Sequence, residues 1–158
     1  MKNRGSVSTV AVRKHPIHPA IVDFPIALLS AALISDLLFW RTGESHWAEF
    51  SFWLILSGWL TGGIALVTGL IDFLTIARAR AHPAGWLHFL LNDLAIFLST
   101  FNLIGRLDER QDPIVFSGLA LSALAAALLL AGGYFGGRLV FRYLIGVYGT
   151  EETHEDEV

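Results

Sequence analysis

The sequence predicts an all-α integral membrane protein built as a four-helix up-down bundle, and three observations predict it. Apolar residues, glycine not counted, make up 54% of the 158 positions, charged residues only 16%, and the mean hydropathy is +0.56. Soluble domains carry about 25% charged residues and reach about 45–50% apolar only with glycine included. Four stretches are long enough to cross a hydrocarbon core about 30 Å thick, which takes about 20 apolar residues at about 1.5 Å each. The polar connectors between them are short, so consecutive spans lie antiparallel.

The elements follow in order. Residues 1–19 form a basic tail with Lys2, Arg4, Arg13 and Lys14 and no apolar run long enough for a signal sequence. Residues 20–147 form the membrane domain, with spans predicted at 21–40, 50–71, 86–104 and 114–135. The connectors are 41–46, 78–83 and 106–113. Residues 148–158 read as an acidic disordered tail holding Glu151, Glu152, Glu155, Asp156 and Glu157. Without those five acids, eleven bases face nine acids in the rest of the chain.

Orientation follows from where Lys and Arg fall. Lys2, Arg4, Arg13, Lys14, Arg78, Arg80, Arg138 and Arg142 share one side, against Arg41, Arg106 and Arg110 on the other. Both termini are therefore expected in the cytoplasm. Trp40, Trp47, Trp86, Tyr134 and Tyr143 fall near span ends as an aromatic belt, while Trp53 and Trp59 lie inside.

Several chemistries are excluded. The chain has no cysteine, hence no disulfide, thiolate metal site or cysteine nucleophile. Its bases form no stripe for nucleic acid. It contains no GxSxG, HExxH or phosphate-binding loop, so nothing supports a hydrolase or transferase.

The informative residues are ionisable groups where lipid should not tolerate them. An acidic residue at a helix centre costs ~2.5–3.5 kcal/mol on insertion scales, so it needs a partner, a water path or a proton. In the second span Gly58, Gly62, Ala65, Gly69 and Asp72 form one helical stripe, with a GxxxG pair at Gly58 and Gly62. The third span carries His88, Asn92, Ala95, Ser99 and Asn102 at the same spacing. For Ser99 and Asn102 the plain reading is interhelical hydrogen bonding.

The up-down topology places His18, Asp23, Asp72, His88, Asn92 and Arg138 in one leaflet. Two imidazoles, two carboxylates, an amide and a guanidinium there could hold haem, a metal ion or a proton relay. The plain alternatives are an N-cap for Asp23, an Asp72–Arg138 ion pair and an interfacial His18. Asp36, near the far end of the first span, is expected to reach external water. Asp93 is read as having a structural partner that the sequence does not identify. His46 faces the other compartment, His15 and His154 lie in tails, and His82 is read as a solvated loop residue.

Four blocks then carry a resemblance. They are His18-Pro19-Ala20-Ile21-Val22-Asp23-Phe24-Pro25, Thr68-Gly69-Leu70-Ile71-Asp72, His88 with Asn92, and Gly132-Gly133-Tyr134-Phe135-Gly136-Gly137-Arg138 running on to Arg142-Tyr143 and Gly146-Val147. Their order and spacing resemble the bacterial membrane proteins called domain of unknown function 2231, over roughly residues 15–147. The resemblance implies four helices and no established activity. Fusion of some members to Rieske-type iron–sulfur domains implies a redox context. Where the usual pattern has His-Phe-Pro, this chain has Asp23-Phe24-Pro25, so a bis-histidine site would have to use His18 with His88.

Three readings stay open. In the first, His18 and His88 ligate haem b and Arg138 or Arg142 pairs with its propionates, with Asn92 nearby and a redox protein as partner. In the second, the chain is a non-catalytic scaffold that binds a partner protein, lipid or a second copy of itself. In the third, His18, His88, Asp72 and Asp23 form a proton- or metal-coupled carrier. Nothing in the sequence shows the inverted repeat of many transporters.

Overall fold

The computed structural model describes residues 5–147, so the tail at 148–158, Lys2, Arg4 and His154 lie outside the described residues. Four long apolar helices dominate. Helix α1 (Ile17–Ile21) runs through Val22 into α2 (Asp23–Thr42), together one candidate span over Ile17–Thr42. Gly43 stops it at φ +70°, its N–H bonded to Phe39 O at 2.8 Å, a left-handed cap that favours glycine. Then come α3 (Ser45–Thr75), the single turn α4 (Ala77–Arg80) and α5 (Pro83–Gly105), whose proline occupies the first turn, where its missing N–H costs nothing. A π-helical turn, Ile114–Gly118, leads into α6 (Leu119–Tyr143).

The helices extend beyond the predicted spans. The fourth continues to Tyr143, because its glycine doublets and Arg138 lower the hydropathy without breaking the backbone pattern. Helices α2 and α3 form one antiparallel pair and α5 and α6 the other. Contacts of α2 with α6 and of α3 with α5 close a square in which α2 and α5 lie on one diagonal, α3 and α6 on the other.

Leu29, Phe52, Ile55, Ile96, Leu103 and Leu129 fill the middle of the square. Smaller clusters close its ends, Phe73, Ala79, Leu139 and Ile145 at one and Phe39, Ala48 and Ile114 at the other. Trp40, Trp53, Leu90, Phe97 and Phe101 stand exposed around the outside, as expected of a bundle whose solvent is lipid.

The glycine stripe of α3 serves two neighbours. A Cβ at Gly58 would lie 2.8 Å from Leu29 on α2, one at Gly69 would lie 2.7 Å from the His18 ring, and one at Gly62 would run into Ile96 on α5. Gly63, one residue off the stripe, has open space. Gly62→Leu and Gly69→Leu should each lower the melting temperature in detergent well below that of Gly63→Leu. Equal tolerance at all three would mean that the stripe is not an interface.

The basic tail packs on the bundle over its described part. Strand β1 (Ala11–Val12) pairs with β2 (His15–Pro16) around Arg13 and Lys14, and Ser6 bridges to Ile145 beyond α6.

Candidate functional site

The sequence gives His18 and His88 to diagonally opposed helical elements, and the fold brings their rings to 6.0 Å between centroids, nearly perpendicular at 83°. Each ring is fixed by the neighbouring helix. His18 Nδ1 lies 2.9 Å from Ala65 O on α3, and His88 Nδ1 lies 2.8 Å from Gly132 O on α6. A carbonyl only accepts, so both neutral rings carry their proton on Nδ1 and keep a lone pair on Nε2. Neither Nε2 has a partner among the described residues. Glycines make room for the rings: a Cβ at Gly69 or Gly136 would lie within 2.8 Å of the His18 or His88 ring, respectively.

Both histidines line one cavity of about 330 Å³, whose wall is mostly apolar. Asn92, one turn beyond His88, donates from Nδ2 to His88 O at 2.6 Å and packs against Gly132.

Of the other members of the expected layer, Asp72 and Asp23 also line this cavity and Arg138 does not. Asp72 borders the cavity, but its carboxylate accepts from Ser8 Oγ at 2.6 Å, Thr9 N at 2.7 Å and Val10 N at 3.3 Å. It anchors the amino-terminal segment and forms no ion pair with Arg138. Asp23 is the first residue of α2 rather than its N-cap, exposed at the cavity rim. Arg138 and Arg142 are not on the cavity wall; Arg142 is exposed, 5.9 Å from the Tyr143 ring centre. Asp93 is exposed on the outer side of α5, with no hydrogen bond or ion pair among the described residues. His82 lies in the connector as expected, half-buried, and stacks on Tyr143 with ring centres 4.0 Å apart. Among the described residues no three His, Asp or Glu side chains gather as a metal-ligand set.

The other end of the bundle corrects the expectation for Asp36. It is fully buried and does not reach external water. Arg106, placed above in a polar connector, is equally buried and meets it through two bonds, Nη1 to Oδ1 at 2.7 Å and Nη2 to Oδ2 at 2.8 Å. Ser51 donates to Asp36 Oδ1 at 2.5 Å and Ser122 to Oδ2 at 2.6 Å. Arg106 Nε donates to Asn102 Oδ1 at 2.9 Å, and Asn102 Nδ2 to Ser122 Oγ at 2.8 Å. Every long helix contributes, and each charge is matched, as a low-dielectric interior demands. Among the described residues Ser99 bonds only to Ala95 O of its own helix.

Both polar layers fall within one family match: the model for predicted membrane proteins of domain of unknown function 2231, DUF2231, covers residues 14–149. The chain belongs to DUF2231. No curated protein and no solved structure matches it.

In this DUF2231 chain the two layers also expose a repeat that sequence reasoning missed. His18 and Asp23 recur as His88 and Asp93, and Asp36 corresponds to Arg106, each pair seventy residues apart. Ser51 corresponds to Ser122 one residue further on. The two antiparallel helical hairpins, α2–α3 and α5–α6, thus carry corresponding positions about seventy residues apart. Each half gives one imidazole to one layer and one half of an ion pair to the other. The His-x4-Asp spacing was the available signal, and a search for inverted repeats passes over a parallel one.

Proposed function

We propose that this DUF2231 protein is a membrane electron-transfer module that holds haem b between His18 and His88. One observation carries the reading: two imidazoles on one cavity wall, 6.0 Å apart, with each Nδ1 tied to a backbone carbonyl and each Nε2 unpartnered. The two rings would hold the haem iron through the Nε2 atoms that their Nδ1 hydrogen bonds leave free. A hydrogen-bonded Nδ1 fixes tautomer and orientation in ligating histidines. A bare ion would want three or four protein ligands, which do not gather among the described residues, whereas a tetrapyrrole brings four nitrogens and asks the protein for two. Bound haem supplies one-electron chemistry. The chain's own part is to orient the rings through Ala65 and Gly132 and to surround the site with apolar wall, and a redox protein would be its partner.

The purified protein should show a Soret band that shifts on dithionite reduction. His18→Ala and His88→Ala should each abolish it, while His46→Ala, at an exposed residue 3.4 Å from Glu44, should leave it intact. A colourless wild type reconstituted with haemin, or a spectrum indifferent to both histidines, defeats the proposal.

The proposed orientation keeps both termini in the cytoplasm of a bacterial inner membrane. Because Arg106 is buried in an ion pair, the far side retains only Arg41 and Arg110 as connector cations against the same eight. Fusion reporters after Val158 and within residues 41–46 should report cytoplasm and exterior respectively; the reverse result inverts the layers.

A further inference from the structure

We infer that the His18–His88 cavity is entered from the bilayer through the flank between α2 and α6, so that its ligand is a membrane-dissolved, largely apolar molecule. This rests on the proposed reading of the cavity as a binding site. It adds the route and the solubility class of what binds.

The two flanks of the cavity occupy equivalent places in the repeat but are not equally closed. Between α3 and α5, the Ile96 side chain fills the space above Gly62, and Phe73 stacks on Phe89 with ring centres 4.9 Å apart and planes within 3°. Between α2 and α6 the corresponding isoleucine, Ile26, lines the cavity together with Gly133 and Gly137. A Cβ added at Gly133 would meet nothing within 4 Å, and one at Gly137 only Phe141 Cδ2 at 3.9 Å. The glycine doublets of α6 therefore divide their work. Gly132 and Gly136 seat Asn92 and His88, while Gly133 and Gly137 leave the flank open beside the exposed Asp23.

The end of the bundle is strapped. The segment Ser6–Val10 crosses from α3 to the chain beyond α6, a diagonal of the square. At one end Asp72 holds Ser8, Thr9 and Val10. At the other, Ser6 N donates to Leu144 O at 2.8 Å and Gly146 N donates to Ser6 O at 2.6 Å. Asp72, Ile145 and Gly146 all belong to the cavity wall, so the strap fastens to the rim itself. Water-borne solutes meet a hydrogen-bonded closure, and lipid-borne ones meet a glycine-lined gap.

The absence of cysteine makes the test direct, because a single introduced thiol is the only one. Val140→Cys places it on the cavity wall, reachable by either route. In proteoliposomes permeabilised so that both faces meet the aqueous reagent, a lipid-soluble pyrene maleimide should label it at least tenfold faster than a sulfonated maleimide, each rate normalised to a freely exposed control thiol. Gly133→Phe, which fills open space, should slow the lipid-phase reaction about tenfold. Ser8→Ala with Asp72→Asn should speed the aqueous reaction and leave the lipid-phase reaction unchanged. Faster aqueous labelling of the unmodified strap, or a lipid-phase rate indifferent to Gly133→Phe, overturns the inference. These rates are read without haem, so a failed haem titration removes the cofactor reading alone, and failed labelling removes the route alone.

Discussion

Asp36→Ala or Arg106→Ala should each cost about 3–5 kcal/mol, because each strands an uncompensated charge in a fully buried site. That is a large part of the roughly 5–15 kcal/mol that separates a native state from its unfolded ensemble, so both variants should express poorly or melt far below the parent. The double variant Asp36→Leu with Arg106→Met should recover most of the loss. It removes both charges together, and the remaining polar groups have somewhere to turn. Ser51 Oγ already lies 3.4 Å from Ala32 O, and the Asn102–Ser122 bond at 2.8 Å does not need either charge. Melting curves in one detergent for the three proteins decide it. If the double variant is no better than the worse single one, the stability of this end comes from elsewhere.

The second large effect is expected at Gly85, at the start of α5. A Cβ there would overlap the carbonyl oxygen of the buried Ala79, a backbone atom between α3 and α5 that no rotamer change can move aside. At Gly132 the obstacle is the amide of Asn92, the end of a flexible side chain, and at Gly133 there is none. Gly85→Ala should therefore cost the most, about 3 kcal/mol, Gly132→Ala about 1–2 kcal/mol, and Gly133→Ala next to nothing, given that overpacking costs typically 1–3 kcal/mol. Thermal melts of the three variants check the ranking. Any other order would mean that the α3–α5 turn yields more readily than its packing indicates.

The sequence by itself determined the class of the protein. Four apolar runs with short polar connectors leave a membrane chain little choice, since backbone groups in lipid must be satisfied within each helix. The stripe of His88, Asn92 and Asn102 on α5 was legible for the same reason: helical period converts spacing into a face. Depth along a helix was equally legible, which put His18 and His88 in one layer. What period and depth do not contain is azimuth around the bundle and reach across it. Asp72 shares the layer but turns its carboxylate to the strap, and Arg138 shares it on a helix whose inward face belongs to glycine. Asp36 and Arg106 sit near predicted span ends, where a charge ordinarily finds water. Only the tertiary structure decided that they find each other, because a pair seventy residues apart is joined by packing geometry that no local window records. The same geometry turned two histidines on separate hairpins into one candidate site, with the carbonyls and glycines of the neighbouring helices fixing which nitrogen each ring leaves free.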